Sequence, residues 1–308
     1  EQSREEKRRE EKRREEKRRE KKRREEKRRE EKRREEKRRE EKKKMMAETG
    51  REGERRAEQR REERRRRGEE ERREEKRREE KKRWKKKREE RPKKKGEPWP
   101  IKEVMEQVYA MKLWGGHTVD FYSGAGSHNS ELVTPYIEVL TSFLTSFKSP
   151  ITVCDLGCGD FNIGKELVKY TKKYIALDIV SELIERNRKK FKENNLEFHC
   201  LDAVADDLPS GDCALVRQVL QHLSNSEVQR IVNKLTDFKY VILTEHLPEG
   251  EFIANKEIVT GQGIRLKKQS GIDLLCPPFN FKILSDKVLL SIVLSDDKGV
   301  VVTTLYET

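Results

Sequence analysis

No stretch of this 308-residue chain reaches 18 consecutive apolar residues, which excludes an ordinary membrane-spanning helix. No secretory signal stands out either, so a cytoplasmic setting away from membranes is expected. Cysteine is scarce and poorly placed for metal or disulfide chemistry. The five cysteines (Cys154, Cys158, Cys200, Cys213 and Cys276) are odd in number and show no paired-ligand spacing. No metal site is expected, and a reduced compartment is. The chain opens at Glu1, and Met45-Met46 offers an internal start.

The first hundred residues also lack an apolar face. They hold 51 Lys and Arg against 32 Asp and Glu, a net of +19, while the remainder holds 23 against 28, a net of −5. The overall +14 is therefore a property of the tail. From Glu5 to Glu41 the unit Glu-Glu-Lys-Arg-Arg recurs with period five, broken once at Lys21. On a helix, five residues advance about 140° beyond a full turn, so every charge type is spread around the axis and no coiled-coil seam forms. Pairs such as Glu5 with Arg9 favour helix, whereas Arg8 with Lys12 opposes it. Residues 1–98 are read as a highly charged single helix or a disordered low-complexity tail, roughly 135 Å long if about 90 of them are continuously helical. Two readings of its role stay open. It offers non-specific, steeply salt-dependent contacts to nucleic acid, or it is a solvated charge run of the kind a tandem purine repeat would encode. Trp84, Trp99, Pro92, Pro98 and Pro100 mark the exit from low complexity, which leaves a second domain over 99–308, ample for one core.

The segment Val153-Cys154-Asp155-Leu156-Gly157-Cys158-Gly159-Asp160 is the most informative in the chain. Ile151 to Val153 reads as a buried strand that ends in a carboxylate. Two glycines follow, one residue apart, and helical periodicity runs from Ile163 to Tyr170. Glycines at a strand-to-helix turn let backbone approach a ligand where a Cβ would collide. A dinucleotide fingerprint needs a third glycine, and Asn162 stands in its place. Asp155 and Asp160 flank the loop and would repel a phosphate, so a cationic ligand suits it better.

Asp155 followed by Gly157-Cys158-Gly159 resembles motif I of the class I S-adenosylmethionine-dependent methyltransferases, whose cofactor carries a sulfonium and an ammonium and no phosphate. The remaining elements follow in that family's order. Tyr174 to Asp178 reads as a second strand whose carboxylate comes 23 residues after Asp155, near the spacing of the acidic residue that grips ribose hydroxyls. Leu196 to Leu201, Cys213 to Arg217 and Tyr240 to Glu245 read as the next three strands. Val288 to Leu294 and Val300 to Leu305 flank a turn over 295–299 and form a hairpin. The resemblance runs from about Ile101 to Thr308. It implies an α/β, Rossmann-like, seven-stranded and mostly parallel sheet with an antiparallel last strand, and S-adenosylmethionine as cofactor. It further implies that Asp155, Gly157 and Gly159 cradle the cofactor and that Asp178 with Ile179 holds its ribose. Asp202 would reach the adenine amino group, Ala203 would line its ring, and Arg217 and Gln218 would lie against the cofactor. Local readings stand beside these: Asp155 or Asp178 as a helix cap, Asp202 as a turn former, Asp160 as a helix N-terminal charge.

The methyl acceptor belongs at the ends of strands four and five. The segment Gln218 to Leu223 is similar to the stretch after the fourth strand in small-molecule methyltransferases, which ends in His-Leu. His222 is the first choice for a base or orienting group, with packing as its structural alternative. Glu245 and His246 follow strand five, where Glu245 would bind an amine or cap the strand end. Trp114 to His117 and Phe121 to Asn129 precede a helix from about Leu132 to Phe147; the resemblance implies that this segment forms a lid over the cofactor, beside the substrate, with Tyr122 and His128 in it. Gly261 to Arg265 and Ser270-Gly271 would form the opposite wall. Cys276-Pro277-Pro278-Phe279 looks like a nucleic-acid amino-methylation motif but comes 59 residues after Arg217, so it is read as a turn. The sequence thus points to methyl transfer onto a small-molecule acceptor. The alternatives are an RNA or protein methyltransferase recruited by the tail, and a cofactor-binding domain without catalysis.

Overall fold

A computed structural model describes residues 2–90, 99–116, 119–295 and 299–308, with side chains in the N-terminal helix described at 19–46 and over most of 55–86. The chain divides into two compact units, Glu1–Lys76 and Arg77–Thr308. The domain boundary read at residue 98, His117 and the turn residues 296–298 lie outside the described residues.

The charged repeat is helical: α1 spans Gln2–Glu90. Glu-to-Arg pairs four residues apart run along it. Arg24 Nη2 donates to Glu20 Oε1 at 2.7 Å, Arg34 to Glu30 at 2.8 Å and Arg66 to Glu62 at 2.8 Å, all in solvent. Such exposed pairs favour a local helix by a few tenths of a kcal/mol each and bury nothing. Among the described residues no helix is long and apolar enough to cross a membrane.

Seven strands build the second unit: β1 Thr152–Leu156, β2 Lys173–Asp178, β3 Leu196–Cys200, β4 Cys213–Arg217, β5 Tyr240–Leu247, β6 Ser285–Val293 and β7 Val300–Glu307. They form one sheet in the order β3-β2-β1-β4-β5-β7-β6. The first five run parallel, and β7 runs against both β5 and β6. Period-two alternation sorts the strand residues between two cores. Val153, Tyr174, Ala176, Leu215 and Ile242 pack on one face beneath α3 (Ser130–Thr145), whose Tyr136, Leu140 and Leu144 repeat every four residues. Leu156, Leu177, Val216 and Leu243 pack on the other beneath α6 (Asn225–Leu235), through Val228, Ile231, Val232 and Leu235. Asn129 caps α3 by accepting from Glu131 N at 3.0 Å, and Ser224 with Glu227 forms a reciprocal capping box on α6. The remaining helices are α2 Ile101–Ala110, α4 Gly164–Leu167 and α5 Ser181–Lys190.

Two boundaries differ from the sequence reading. β1 does not end at Asp155 but runs through Leu156, because the chain turns only where Gly157 N and Cys158 N both donate to Leu177 O, at 2.9 and 2.8 Å. The helix expected over 163–170 is a single α-turn, α4, followed by a 3₁₀ turn at Val168–Tyr170. Thr171 closes that turn by donating to Val168 O at 2.8 Å, and β2 begins two residues later.

Candidate functional site

The strand order reverses between β1 and β4, and there, at the carboxyl edge of the parallel strands, lies a cavity of about 470 Å³. Its floor is the loop after β1. Gly157 and Gly159 both take left-handed conformations, at φ +73° and +54°. A Cβ on Gly157 would stand 2.5 Å from Val219, and one on Gly159 would stand 2.4 Å from the Ser123 hydroxyl. Asp178 at the end of β2 stitches this loop in place, accepting from Gly159 N at 3.1 Å and from Val180 N at 3.0 Å. Burial pushes the Asp178 carboxyl up to about 6, against the pull of those backbone donors. Its neighbour Ile179 is also on the wall. After β3, Asp202 both lines the cavity and forms a turn, accepting from Val204 N at 2.8 Å, and Ala203 lines the wall beside it.

The end of β4 supplies the next wall. Gln218 is held at φ +55°, a strained conformation for a non-glycine residue, while its N–H donates to Thr244 O at 2.7 Å. Arg217 lies over the Tyr136 ring at 4.8 Å and donates to Gly126 O at 2.6 Å. His222 follows in a 3₁₀ turn, 5.2 Å from the Trp114 ring. Burial lowers its imidazole to about 4, so it is neutral near pH 7.

A roof comes from the segment before β1. Ile101, Met105 and Tyr109 of α2 face the cavity at four-residue spacing, followed by Trp114 and residues 123–127. Polar contacts bolt this roof to the β1 loop. Asp160 N donates to Ser123 Oγ at 2.8 Å, Ser123 N to Asp160 Oδ2 at 3.2 Å, and Asn162 Nδ2 to Ser127 O at 2.8 Å. His128 Nε2 lies 2.5 Å from Asp160 Oδ2, and Tyr122 stacks on His128 at 4.5 Å. Asp160 is thus turned toward the roof and works as its fastening.

Of the residues nominated from sequence, Gly157, Gly159, Asp178, Ile179, Asp202, Ala203, Arg217, Gln218 and His222 share the cavity wall. Five stand off it. Asp155 falls on the α3 face by strand alternation; its Oδ2 accepts from the Tyr174 hydroxyl at 2.9 Å, and burial pushes it up to about 7. Glu245 lies behind the β4 turn, accepts from Leu220 N at 3.1 Å, and is pushed by burial up to about 8. His246 is paired with Val301 in the sheet, and its N–H donates to Gln221 Oε1 at 3.4 Å. Tyr122 and His128 brace the roof from outside. In the far wall Gln262, Gly263 and Ile264 face the cavity, but Arg265 is buried behind them. Its guanidinium donates to Leu220 O, Leu223 O and Asn225 Oδ1, at 3.1, 2.7 and 2.7 Å. Cys276 to Phe279 forms a turn whose Phe279 packs into the core. The sequence reading passed over Ile101, Met105, Tyr109 and Lys267; for the first three, the spacing after Pro100 was the available signal.

Residues 153–238 match the family model described as a methyltransferase domain. That stretch and the seven-stranded, mostly parallel sheet around it are consistent with the class I S-adenosylmethionine-dependent methyltransferases. No curated protein matches the chain. Among solved structures it is similar to the N-methyltransferase NodS from Bradyrhizobium japonicum in complex with S-adenosylhomocysteine, at 10% identity and a TM-score of 0.44, over 59% of this chain and 90% of that one. It is also similar to human N-acetylserotonin methyltransferase in complex with S-adenosylmethionine, at 15% identity and 0.44, over 68% and 60%. A third likeness is to an S-adenosylmethionine-dependent methyltransferase from Leishmania major, at 15% identity and 0.43, over 67% and 79%.

The residues present fit that cofactor. Each Asp178 oxygen accepts one backbone N–H and keeps further lone-pair capacity for hydroxyls. The glycine loop leaves backbone flush with the floor where side chains would intrude. The two carboxylates on the wall, Asp178 and Asp202, favour a cation over a phosphate.

Proposed function

We propose that this chain transfers a methyl group from S-adenosylmethionine to a small-molecule acceptor seated on the β4 side of the cavity. The observation that supports this best is that one roofed cavity of about 470 Å³ has carboxylates along β2 and β3 and a neutral imidazole beyond β4. Such a volume falls within the ~300–1,000 Å³ of small-ligand sites. Asp178 and Ile179 would hold the ribose, Asp202 and Ala203 the adenine, and the backbone of 157–159 the remainder. When bound, the cofactor supplies a methyl carbon made electrophilic by its sulfonium.

The chain's own contribution is alignment and enclosure. The roof covers one side of the cavity and would shield bound cofactor there, and the β4 turn would fix the acceptor's approach. An imidazole neutral at pH 7 accepts a hydrogen bond from an acceptor hydroxyl or amine and orients its lone pair. Glu245 acts one layer behind, holding Leu220 N and so the turn that carries His222.

The test is methyl transfer from labelled cofactor onto a metabolite panel and onto total RNA, at low and high salt, beside calorimetry with S-adenosylhomocysteine. Salt-insensitive labelling of a small molecule supports the proposal. Labelling of RNA alone, falling steeply with salt, overturns the acceptor class. Binding with no product on any acceptor overturns catalysis.

A further inference from the structure

Charge in the cavity is segregated. Its carboxylates, Asp178 and Asp202, belong to the β2 and β3 ends, and the walls from 217–223 and 262–267 carry none. Those walls carry two cations, Arg217 and Lys267. Arg217 spends its terminal nitrogens on Gly126 O, Ser127 Oγ and Gln218 Oε1. Lys267 is exposed at the rim of the cavity and has no ion-pair partner among the described residues.

Its setting is rigid. Lys267 belongs to a 3₁₀ turn, Arg265–Lys268, that holds three basic residues. Buried Arg265 binds two carbonyls of the His222 turn, and Lys268 Nζ donates to Glu257 O at 2.7 Å. Two of the three cations therefore fasten the turn, and the third is left at the acceptor end. Residues 101–308 carry a net charge of −5, so attraction of an anion here is local and not a property of the whole surface.

We infer that the acceptor is a small anion, a carboxylate or an equivalent oxyanion bearing the methylated group, and that Lys267 takes its charge while Trp114 and His222 flank its body. This rests on the methyl-transfer reading above. The same charge could instead serve the carboxylate of the cofactor's own amino acid, and the experiment separates the two sources.

The full chain saturated with S-adenosylhomocysteine is titrated calorimetrically with 4-hydroxybenzoate and with its uncharged counterpart 4-hydroxybenzamide. The acid should bind about threefold to fivefold more tightly, the size expected of a partly exposed ion pair. Lys267→Gln should level the two and Lys267→Arg should restore the difference, with S-adenosylhomocysteine affinity unchanged. Equal binding of acid and amide, or binding of neither, overturns the inference. So does a Lys267→Gln protein that loses S-adenosylhomocysteine affinity yet keeps that for 5′-methylthioadenosine, which lacks the amino-acid carboxylate. If the wild-type chain does not bind S-adenosylhomocysteine at all, the methyl-transfer reading itself fails and this inference falls with it.

Discussion

Gly157 is constrained twice, by its φ of +73° and by Val219, and the two constraints can be separated. Gly157→Ala should cost about 1–2 kcal/mol from the left-handed backbone alone, and more from the contact with Val219. Adding Val219→Ala should recover the steric part and leave the conformational part, so thermal unfolding of the two single variants and the double variant should be non-additive. Asp178 presents a different case, since its carboxylate joins two backbone donors on separate segments. In Asp178→Asn one of those N–H groups faces an amide donor, at about 1–3 kcal/mol for a buried unsatisfied group. Because Asp178 titrates near 6, affinity for the cationic cofactor should fall as pH drops through that value. Calorimetry from pH 5 to 8 should show this in the wild type and a flatter profile in Asp178→Asn. A wild-type affinity independent of pH would mean that Asp178 does not meet the ligand.

The turn over 220–223, between β4 and α6, is clamped by two elements far from it in sequence. β5 provides Glu245 for Leu220 N, and the insertion after β5 provides Arg265 for Leu220 O and Leu223 O. The carboxyl of Glu245 is raised to about 8 and that of Asp155 to about 7, both by burial. Their unfolded values lie near 4, so these two groups, joined by Asp178 up to about 6, bind more protons in the folded chain between roughly pH 4 and 8 and outweigh His222, whose lowered imidazole acts the other way below about 6.5. Stability should therefore fall as pH rises through that window. Glu245→Gln removes the group raised furthest, and urea unfolding at pH 5 and pH 8 should show a smaller loss than in the wild type. The order of strands was legible because each parallel strand is a short apolar run, and Asp178 and Asp202 stand where two of them stop. Asp155 was legible as part of a motif but not as a side chain facing the core, because the strand runs past it and alternation decides its face. The fastening of the roof to the β1 loop and the Arg265 clamp depend on contacts between segments some 35 to 45 residues apart, which no local periodicity encodes.

Across the whole molecule, charge and core are divided between different stretches of chain. The first hundred residues carry +19 and the described part of α1 shows no buried apolar face, whereas residues 101–308 carry −5 and hold the hydrophobic core. A helix held by exposed pairs four residues apart adds no apolar burial to that core. Among the described residues, those that line the cavity fall between Ile101 and Lys267. S-adenosylhomocysteine carries balancing charges near neutrality, so the field of the +19 segment has little net charge to act on, and salt screens it further. A chain beginning at Trp99 should therefore bind S-adenosylhomocysteine within about twofold of the full chain, and both affinities should stay level between about 0.05 and 0.5 M salt. Its thermal transition should match that of the full chain as well. A truncated protein that unfolds at lower temperature, or binds tenfold more weakly at low salt alone, would show the charged helix to be part of the binding unit.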